Sequence, residues 1–269
     1  MTPLKLAFIG AGRMAGAMVR GILAHGIARP EDITCLSAPD GTAEKLAAAY
    51  GIRRTDDHAA LLKEADWMIL ACKPQQLAEL PAELSELTSG TGVLSILAGT
   101  PLTKLKERFP SARHLVRCMP NTPGQIGAGI TAFCTEAQLP PGESENVARL
   151  LGALGEVVEL PETELDAVTA VSGSGPAYVF TFIAALRDAG VEAGLSRETA
   201  YRLALHTVKG AATLLEKVPE SPETHRDWVS SPGGTTLAGL EVLDRGGLPA
   251  LMRDTVLAAQ RRSRELAGE

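Results

Sequence analysis

The sequence predicts an α/β protein in which a domain built on a parallel sheet is followed by an all-helical domain. Over residues 1–161, short apolar runs alternate with helical patterns, an arrangement typical of a parallel sheet covered on both faces. Over residues 162–269, no strand-like run occurs, and helical patterns are separated by Gly, Pro and Ser. The chain has 269 residues, 45% hydrophobic and 4% aromatic, which is enough to bury the cores of two such domains.

The strands and helices of the first domain are predicted from its apolar runs and their spacing. Runs bounded by turn residues predict strands at 4–9, 33–37, 67–72, 92–97, 115–119, 130–134 and 157–160. Helical periodicity predicts helices at 14–25, 42–50, 75–87, 102–109 and 144–154. Pro81 lacks a backbone donor, so we expect it to kink or split the third of these helices.

The second domain is predicted to contain four main helices, at 177–193, 197–215, 237–243 and 249–266. The first of them is apolar almost all round over residues 177–186, and a helix without a polar face must be buried on every side. A domain of this size cannot cover such a helix alone. The pattern therefore predicts a homodimer in which a partner subunit supplies the cover.

Composition excludes several classes of partner. A formal net charge of −6 without a basic stripe argues against a nucleic-acid-binding protein. No apolar run reaches the ~18–20 residues of a membrane span, and no signal-peptide pattern occurs, so we expect a cytoplasmic protein without membrane contact. The four cysteines show neither paired nor metal-ligand spacing, which favours small core residues in a reducing compartment and predicts no metal.

A glycine-rich loop follows the first predicted strand and opens the first predicted helix. Gly10-Ala-Gly-Arg-Met-Ala15 has the spacing of the Rossmann dinucleotide-binding loop in the required strand–helix context. In that pattern the first glycine makes the tight turn and the second lets the backbone approach a pyrophosphate. We therefore expect a Rossmann-type domain whose cofactor-binding residues here are Ile9, Gly10, Ala11, Gly12, Arg13 and Met14.

The end of the second strand favours NADP(H) over NAD(H), which remains the alternative. An NAD site would place a carboxylate there, whereas this chain has Ser37-Ala38 and reaches Asp40 late. Without a carboxylate to repel it, a 2′-phosphate is tolerated, and Arg13 or Lys45 is a candidate to bind it.

Three later loops complete the predicted cofactor site. Parallel strands end at one edge of the sheet, and ligands of open α/β folds bind there. Two residues of these loops have an alternative interpretation without a cofactor: Asn121 as an ordinary turn residue and Lys73 as a solvated loop lysine. The residues expected to contact the cofactor are Ala71, Cys72, Lys73, Pro74, Ala98 and Asn121.

Two stretches of the helical domain indicate a small-acid substrate. Val229-Ser-Ser-Pro-Gly-Gly-Thr-Thr236 precedes a predicted helix, where unbonded N–H groups and the helix dipole favour a carboxylate. Thr169-Ala-Val-Ser-Gly-Ser-Gly-Pro-Ala-Tyr178 lies where the two predicted domains join. It is either a plain helix–helix corner or a row of hydroxyls beside a cleft.

Together these motifs resemble the pyrroline-5-carboxylate reductases, which catalyse the last step of proline biosynthesis. The match is carried, in order, by Phe8-Ile-Gly-Ala-Gly12, Ala71-Cys-Lys-Pro74, Arg117-Cys-Met-Pro-Asn-Thr-Pro123, Asp166-Ala-Val-Thr169, Ser172-Gly-Ser-Gly-Pro-Ala-Tyr178 and Val229-Ser-Ser-Pro-Gly-Gly-Thr-Thr236. Two departures concern the cofactor: His58 stands where many relatives have an asparagine near the adenine, and Ser37-Ala38 lacks the arginine of clearly NADP-selective members.

The resemblance implies a C-terminal domain that interlocks with a second subunit, with rings of dimers in some members, and an active site between the cofactor domain and the partner's helices. It implies Thr236 as the hydrogen-bond partner of the ring nitrogen and hence the catalytic residue. The implied substrate-binding residues are Thr169, Ser174, Ser231, Gly233, Gly234, Thr235 and Thr236.

The residue types fit imine reduction better than ketone reduction. A ketone reductase needs a strong acid for the developing alkoxide, whereas a protonated cyclic imine is already an electrophile and needs chiefly positioning. Lys73 is the alternative acid. Three other functions stay open: a β-hydroxyacid dehydrogenase, a non-catalytic NADP-binding regulator, and a reductase of a six-membered cyclic imine acid. The first would need a catalytic lysine in the second domain, where the only lysines are Lys209 and Lys217.

Overall fold

The computed structural model describes residues 3–268. Within them a single sheet has eight strands, β1 to β8, at Leu6–Ile9, Ile33–Leu36, Arg53–Arg54, Trp67–Leu70, Gly92–Ser95, His114–Met119, Gly129–Thr135 and Gly155–Glu159. The helices α1 to α12 are Arg13–Ala24, Thr42–Tyr50, His58–Leu62, Leu84–Leu87, Leu102–Arg108, Pro141–Gly152, Leu165–Val168, Gly175–Glu192, Arg197–Lys217, Pro222–Trp228, Thr235–Arg245 and Leu248–Ala267. The seven predicted strands are all present, and the predicted α/β fold class is confirmed.

The sheet has the order β3-β2-β1-β4-β5-β6-β7-β8 and is parallel except where β7 pairs with β6. The sequence-based expectation of a parallel sheet is corrected at this one pairing. Residues 120–128, which join the two strands, are fewer than the dozen or so that a parallel crossover requires. A tight connection therefore reverses the chain, and α6 then restores parallel pairing between β7 and β8.

Burial on both faces explains why the strands are nearly continuous apolar runs. Leu6 and Phe8 of β1 contribute to the core on one face of the sheet, while Ala7 and Ile9 contribute to the core on the other. Successive side chains of a strand point to opposite faces, so a strand covered on both sides needs apolar residues at every position.

The structure differs from the sequence-based prediction at one predicted helix and at one strand that was not predicted. The helix expected over 75–87 is divided into a 3₁₀ segment, Pro74–Glu79, and α4, with Pro81 between them, as its missing donor predicts. Strand β3 was not predicted, because its two arginines have no strand-like pattern. It exists through pairing with β2, in the register Thr34↔Arg53 and Cys35↔Arg54.

By its contacts, the chain divides into two compact units, one of Met1–Ser174 with Ala259–Glu269 and one of Gly175–Ala258. The last turns of α12 thus belong with the sheet. In that first unit, the buried hydroxyl of Ser263 donates to Asp166 Oδ1 at 2.6 Å. The division at residue 161 remains a prediction.

The second unit is helical, and its first helix has few neighbours within the chain. Helices α8 and α9 pack together closely, since a Cβ atom on Gly190 would lie 3.1 Å from the Cβ of Ala200. Even so, α8 has no buried residue, and Phe180 and Phe182 are 63% and 50% exposed. Apolar surface of this kind marks an interface with another protein.

The helical run Glu162–Glu192 is long and apolar enough to cross a membrane by length and composition, with a mean hydropathy of 1.3. This corrects the expectation that the chain offers no such segment, because the helix extends the apolar run on its N-terminal side. A single helix of this kind is weak evidence, since a helix buried between subunits has the same composition. The absence of membrane contact remains a prediction.

Candidate active site

The glycine-rich loop is formed as its spacing predicts. Gly10 follows β1 with φ +100°, and a Cβ atom there would lie 2.4 Å from the backbone of Ala71 and Cys72. Its N–H donates to the carbonyl of Leu36 at 2.8 Å. The first glycine is therefore required both by its backbone angle and by the close approach of the backbone that follows β4.

The N-terminus of α1 is open to a ligand. Gly12 caps this helix without a side-chain hydrogen bond, and a Cβ atom on it would meet nothing within 4 Å. The first N–H groups of α1 have no intrahelical partner, and its first turn carries no acidic residue. Donors, dipole and empty space together fit the pyrophosphate of a dinucleotide.

A cavity of about 600 Å³ lies over this loop and has the size of a small-molecule site. It extends across the carboxyl ends of β2, β1 and β4. The predicted cofactor residues that line it are Ile9, Gly10, Ala11, Gly12, Ser37, Ala38, His58, Ala71, Cys72 and Lys73.

The other predicted cofactor residues lie outside the lining of this cavity. Arg13 and Met14 form the first turn of α1 behind Gly12, whereas Pro74 and Ala98 line a neighbouring cavity of about 590 Å³. The side-chain oxygen of Asn121 accepts the N–H of Ile130 at 3.0 Å and so fixes the start of β7. Their roles in cofactor binding remain predictions.

The polar side chains of the loop after β2 form hydrogen bonds within the loop. Asp40 Oδ1 accepts the N–H of Thr42 at 3.0 Å and its hydroxyl at 2.6 Å, and these hydrogen bonds lower the pKa of the Asp40 carboxyl. Ser37 Oγ lies 2.9 Å from the same threonine hydroxyl. Asp40 thus closes a hydrogen-bonded turn just before α2, which ties its carboxylate to the loop.

Gln76 and Arg54 are among the lining residues of the cavity that sequence reasoning missed. Gln76 accepts the N–H of Lys73 at 2.9 Å through Oε1 and so shapes the turn after β4. Arg54 reaches the cavity from β3. Its signal in the sequence is weak, since two adjacent arginines usually indicate a solvated turn. Neither Arg13 nor Lys45, the cations first considered for a 2′-phosphate, is part of the lining.

The cysteine in the cavity is not a nucleophile at neutral pH. Burial raises the pKa of the Cys72 thiol above its ordinary value, so the group stays protonated. The thiolate is the reactive form of cysteine. Cys72 therefore contributes shape to the cavity rather than covalent chemistry.

The Thr169–Ser174 stretch forms a π-helical turn in the first unit. The turn spans Thr169–Gly173, and a Cβ atom on Gly173 would lie 2.5 Å from Met119 Cε at the end of β6. The hydroxyls of Thr169 and Ser172 donate to carbonyls one turn earlier, at 2.8 and 3.1 Å. Single π turns inside helices are frequent at functional sites.

The N-terminus of α11, in the second unit, carries the predicted carboxylate site. Gly234 caps the helix without a side-chain hydrogen bond, and Gly233 has φ +72°. The first bond within the helix runs from Ala238 N–H to the carbonyl of Gly234, at 3.4 Å. The earlier N–H groups of Thr235 and Thr236 are thus available, and no described residue hydrogen-bonds to the hydroxyls of Ser231, Thr235 and Thr236.

Taken together, a glycine loop at the carboxyl edge of a mostly parallel sheet and a helical C-terminal region define a dinucleotide-dependent oxidoreductase. A sequence model described as pyrroline-5-carboxylate reductase dimerisation matches residues 162–266, and one described as NADP oxidoreductase, coenzyme F420-dependent, matches residues 5–99. The chain belongs to the pyrroline-5-carboxylate reductase family, as its motifs predict.

Curated relatives match along almost their whole length. The pyrroline-5-carboxylate reductase of Synechocystis sp. is 40% identical over 98% of this chain and 98% of its own. That of Arabidopsis thaliana is 38% identical over 98% of this chain and 95% of its own.

Solved structures of the same family share the whole fold. A pyrroline-5-carboxylate reductase from Coxiella burnetii has a TM-score of 0.91 and 32% identity, covering 99% of both chains. A pyrroline carboxylate reductase from Plasmodium falciparum, solved with NADP bound, has a TM-score of 0.87 and 30% identity, covering 99% of both chains. The Plasmodium falciparum protein thus holds a nicotinamide cofactor in a fold similar to that of this chain.

Proposed function

We propose that this protein reduces L-1-pyrroline-5-carboxylate to L-proline with NADPH, in proline biosynthesis. The observation that carries the proposal is the pair of unblocked helix N-termini: one over a dinucleotide-sized cavity at Gly12 and one at Gly234 beside free hydroxyls. The first suits a pyrophosphate and the second a small carboxylate. Whole-length similarity to reductases with this name supports the assignment.

The substrate carboxylate is held by N–H groups and hydroxyls rather than by a cation. Val229–Thr236 contains no titratable side chain. Ser231, Gly233, Gly234 and Thr235 supply donors to the carboxylate, and Thr236 orients the ring nitrogen. Thr169 and Ser174 are proposed to contact the same substrate. A protonated imine carries its own positive charge, so positioning is the main catalytic contribution of these residues.

The bound nicotinamide supplies the hydride. Residues 9–14, Ser37, Ala38, His58, residues 71–74, Ala98 and Asn121 are proposed to hold the cofactor, with no metal ion. Residues 3–268 contain no group of three or more His, Cys, Asp or Glu side chains that could hold a metal ion. The proposed reaction does not require a metal. NADP(H) is proposed as the preferred cofactor, because β2 is followed by Ser37-Ala38, and Asp40, the first carboxylate after it, is hydrogen-bonded to Thr42 at the start of α2.

The working unit is proposed to be a homodimer, with rings of dimers as the larger assembly. Its interface is built on α8, whose apolar side chains are exposed in the single chain. The matched dimerisation model supports association through the C-terminal region. We propose domains at 1–161 and 162–269 and a cytoplasmic protein without nucleic-acid or membrane partners.

Initial rates of NADPH and NADH oxidation with pyrroline-5-carboxylate test the reaction. Fast turnover is expected with this five-membered imine, and slower turnover with a six-membered cyclic imine acid or a ketoacid. The ratio of kcat/KM for NADPH and NADH measures the cofactor preference. No oxidation with the five-membered imine would overturn the proposed substrate.

Thr236→Ala is expected to lower kcat by about 10- to 100-fold, because a misplaced ring nitrogen spoils the alignment for hydride transfer. Cofactor affinity should not change. Ser230→Ala is the matched control, since the Ser230 hydroxyl is already bonded to the carbonyl of Arg226 at 2.6 Å. Thr236→Ser should restore most of the rate. Equal kinetics in Thr236→Ala and Ser230→Ala would remove Thr236 from the mechanism.

A further inference from the structure

One arginine stands at the β2 side of the cofactor cavity. Arg54 ends β3, next to β2, and its backbone is held there because the N–H of Thr55 donates to the carbonyl of Cys35 at 3.1 Å. Its side chain lines the cavity together with Ser37 and Ala38. In a Rossmann fold, the end of the second strand is where the adenine ribose is recognised, and an arginine nearby accommodates a 2′-phosphate.

We propose that Arg54 binds the 2′-phosphate of NADP(H) and thereby sets the cofactor preference of this chain. The inference rests on the proposed nicotinamide-dependent function. Arg54 would take the place of the arginine that NADP-selective relatives have at the end of β2. Guanidinium is well suited to the role, because it is always charged and can donate two parallel hydrogen bonds to phosphate.

No other cation is placed as well. Of the described residues that line the cavity, Arg54 is the one arginine and Lys73 the one lysine. Lys73 follows β4, which lies on the far side of β1 from β2 and β3, although its charge is still felt by Asp40 in the loop after β2. Arg54 is the cation whose strand pairs directly with β2, on the adenosine side.

Two carboxylates hold Arg54 in place. Its Nη2 atom lies 2.6 Å from Asp56 Oδ1 and 3.0 Å from Glu44 Oε1, and the Arg54 side chain is 37% exposed. Among the hydrogen bonds of residues 3–268, none involves its Nε or Nη1 atom. The guanidinium is thus anchored through one nitrogen while its other nitrogens remain available to an anion. Both carboxylates also repel a bound phosphate, and we therefore expect Glu44 to limit the affinity for phosphate that Arg54 provides.

Isothermal titration calorimetry with adenosine 2′,5′-bisphosphate and adenosine 5′-monophosphate tests the proposal without catalysis, since these probes differ in the 2′-phosphate alone. Arg54→Leu is expected to weaken bisphosphate binding about 10- to 100-fold, the range for loss of a charged hydrogen bond. Monophosphate binding should not change. Glu44→Gln should tighten bisphosphate binding, because it removes a repelling charge.

Arg53→Leu is the matched control. Arg53 lies on the same two-residue strand, and the variant loses the same charge, but Arg53 does not line the cofactor cavity; it lines a second cavity, which Arg54 also borders. It should leave the affinities of both probes unchanged. Equal losses of bisphosphate affinity in the two variants would overturn the proposal, and so would equal affinity of the unaltered protein for both probes.

The kinetic counterpart is a fall in the ratio of kcat/KM for NADPH to that for NADH in Arg54→Leu, with the NADH value retained. This separates the inference from the proposed reaction. If the chain fails to reduce pyrroline-5-carboxylate but calorimetry shows the expected pattern, the substrate is wrong and the role of Arg54 stands. If reduction is fast but the bisphosphate shows no dependence on Arg54, the inference alone fails.

Discussion

Gly12→Ala is expected to weaken cofactor binding about 100-fold while leaving the fold unchanged. The added methyl group would project into the empty space above the N-terminus of α1, where a pyrophosphate has to approach the backbone. Gly12 has φ −74° and ψ −173°, angles that alanine adopts without strain, so stability should change by less than about 0.5 kcal/mol. Calorimetry with NADP⁺ and thermal unfolding without cofactor measure the two quantities.

Gly10→Ala provides the contrasting variant in the same loop. A methyl group there would lie 2.4 Å from the backbone of Ala71 and Cys72, and φ is +100°. The sheet edge has to deform, at a cost of about 3 kcal/mol or more, which is roughly a 5–10 °C fall in unfolding temperature. If Gly12→Ala destabilised the protein as much as Gly10→Ala, the separation of a binding role from a folding role would be wrong.

Arg117→Met is expected to cost about 3 kcal/mol of folding free energy, the usual penalty for removing one partner of a buried ion pair. Arg117 lies on β6 with a side chain 7% exposed, and its Nη1 donates to Glu162 Oε1 at 2.9 Å. Its Nη2 lies 3.9 Å from Asp166, which also accepts the hydroxyl of Ser263. Without Arg117, the buried Asp166 loses its cation. Urea-induced unfolding of the cofactor-free protein measures the change.

Arg113→Met is the matched control for this prediction. Arg113 immediately precedes β6 and pairs with Glu143 at 2.9 Å, but its side chain is 36% exposed, and an ion pair with that access to water contributes about 0–1 kcal/mol. Similar losses of folding free energy in the two variants would show that the buried ion pairs of Arg117 stabilise the protein no more than an exposed pair does. Burial, and after it the charge of Glu162, raises the pKa of Cys134 to about 12, while the charge of Arg117 acts in the opposite direction.

Much of the fold was predictable because its signals are local. Each apolar run of a doubly covered strand and each helical period is encoded by adjacent residues, so the seven main strands and the helix over Thr42–Tyr50 follow from the sequence. The glycine loop is equally local: a strand, a tight turn and a helix N-terminus occur within a few residues. Motif order likewise sufficed to place the chain in its family.

What the sequence could not reveal depends on residues that are distant along the chain. Strand β3 has no pattern of its own and is defined by pairing with β2, which is also what brings Arg54 to the cofactor cavity. Likewise, the hydrogen bond from the N–H of Ile130 to Asn121 Oδ1 depends on how the chain turns from β6 into β7.

The sequence by itself determined the order of elements, the glycine-rich cofactor loop and the family, because each is written in short-range patterns. Tertiary structure alone decided that β7 runs antiparallel to β6, that Asp40 is hydrogen-bonded to Thr42, and that Arg54 lines the cavity beside β2. The physical reason is that strand pairing and side-chain hydrogen bonding select among neighbours in space, and a linear pattern does not specify those neighbours.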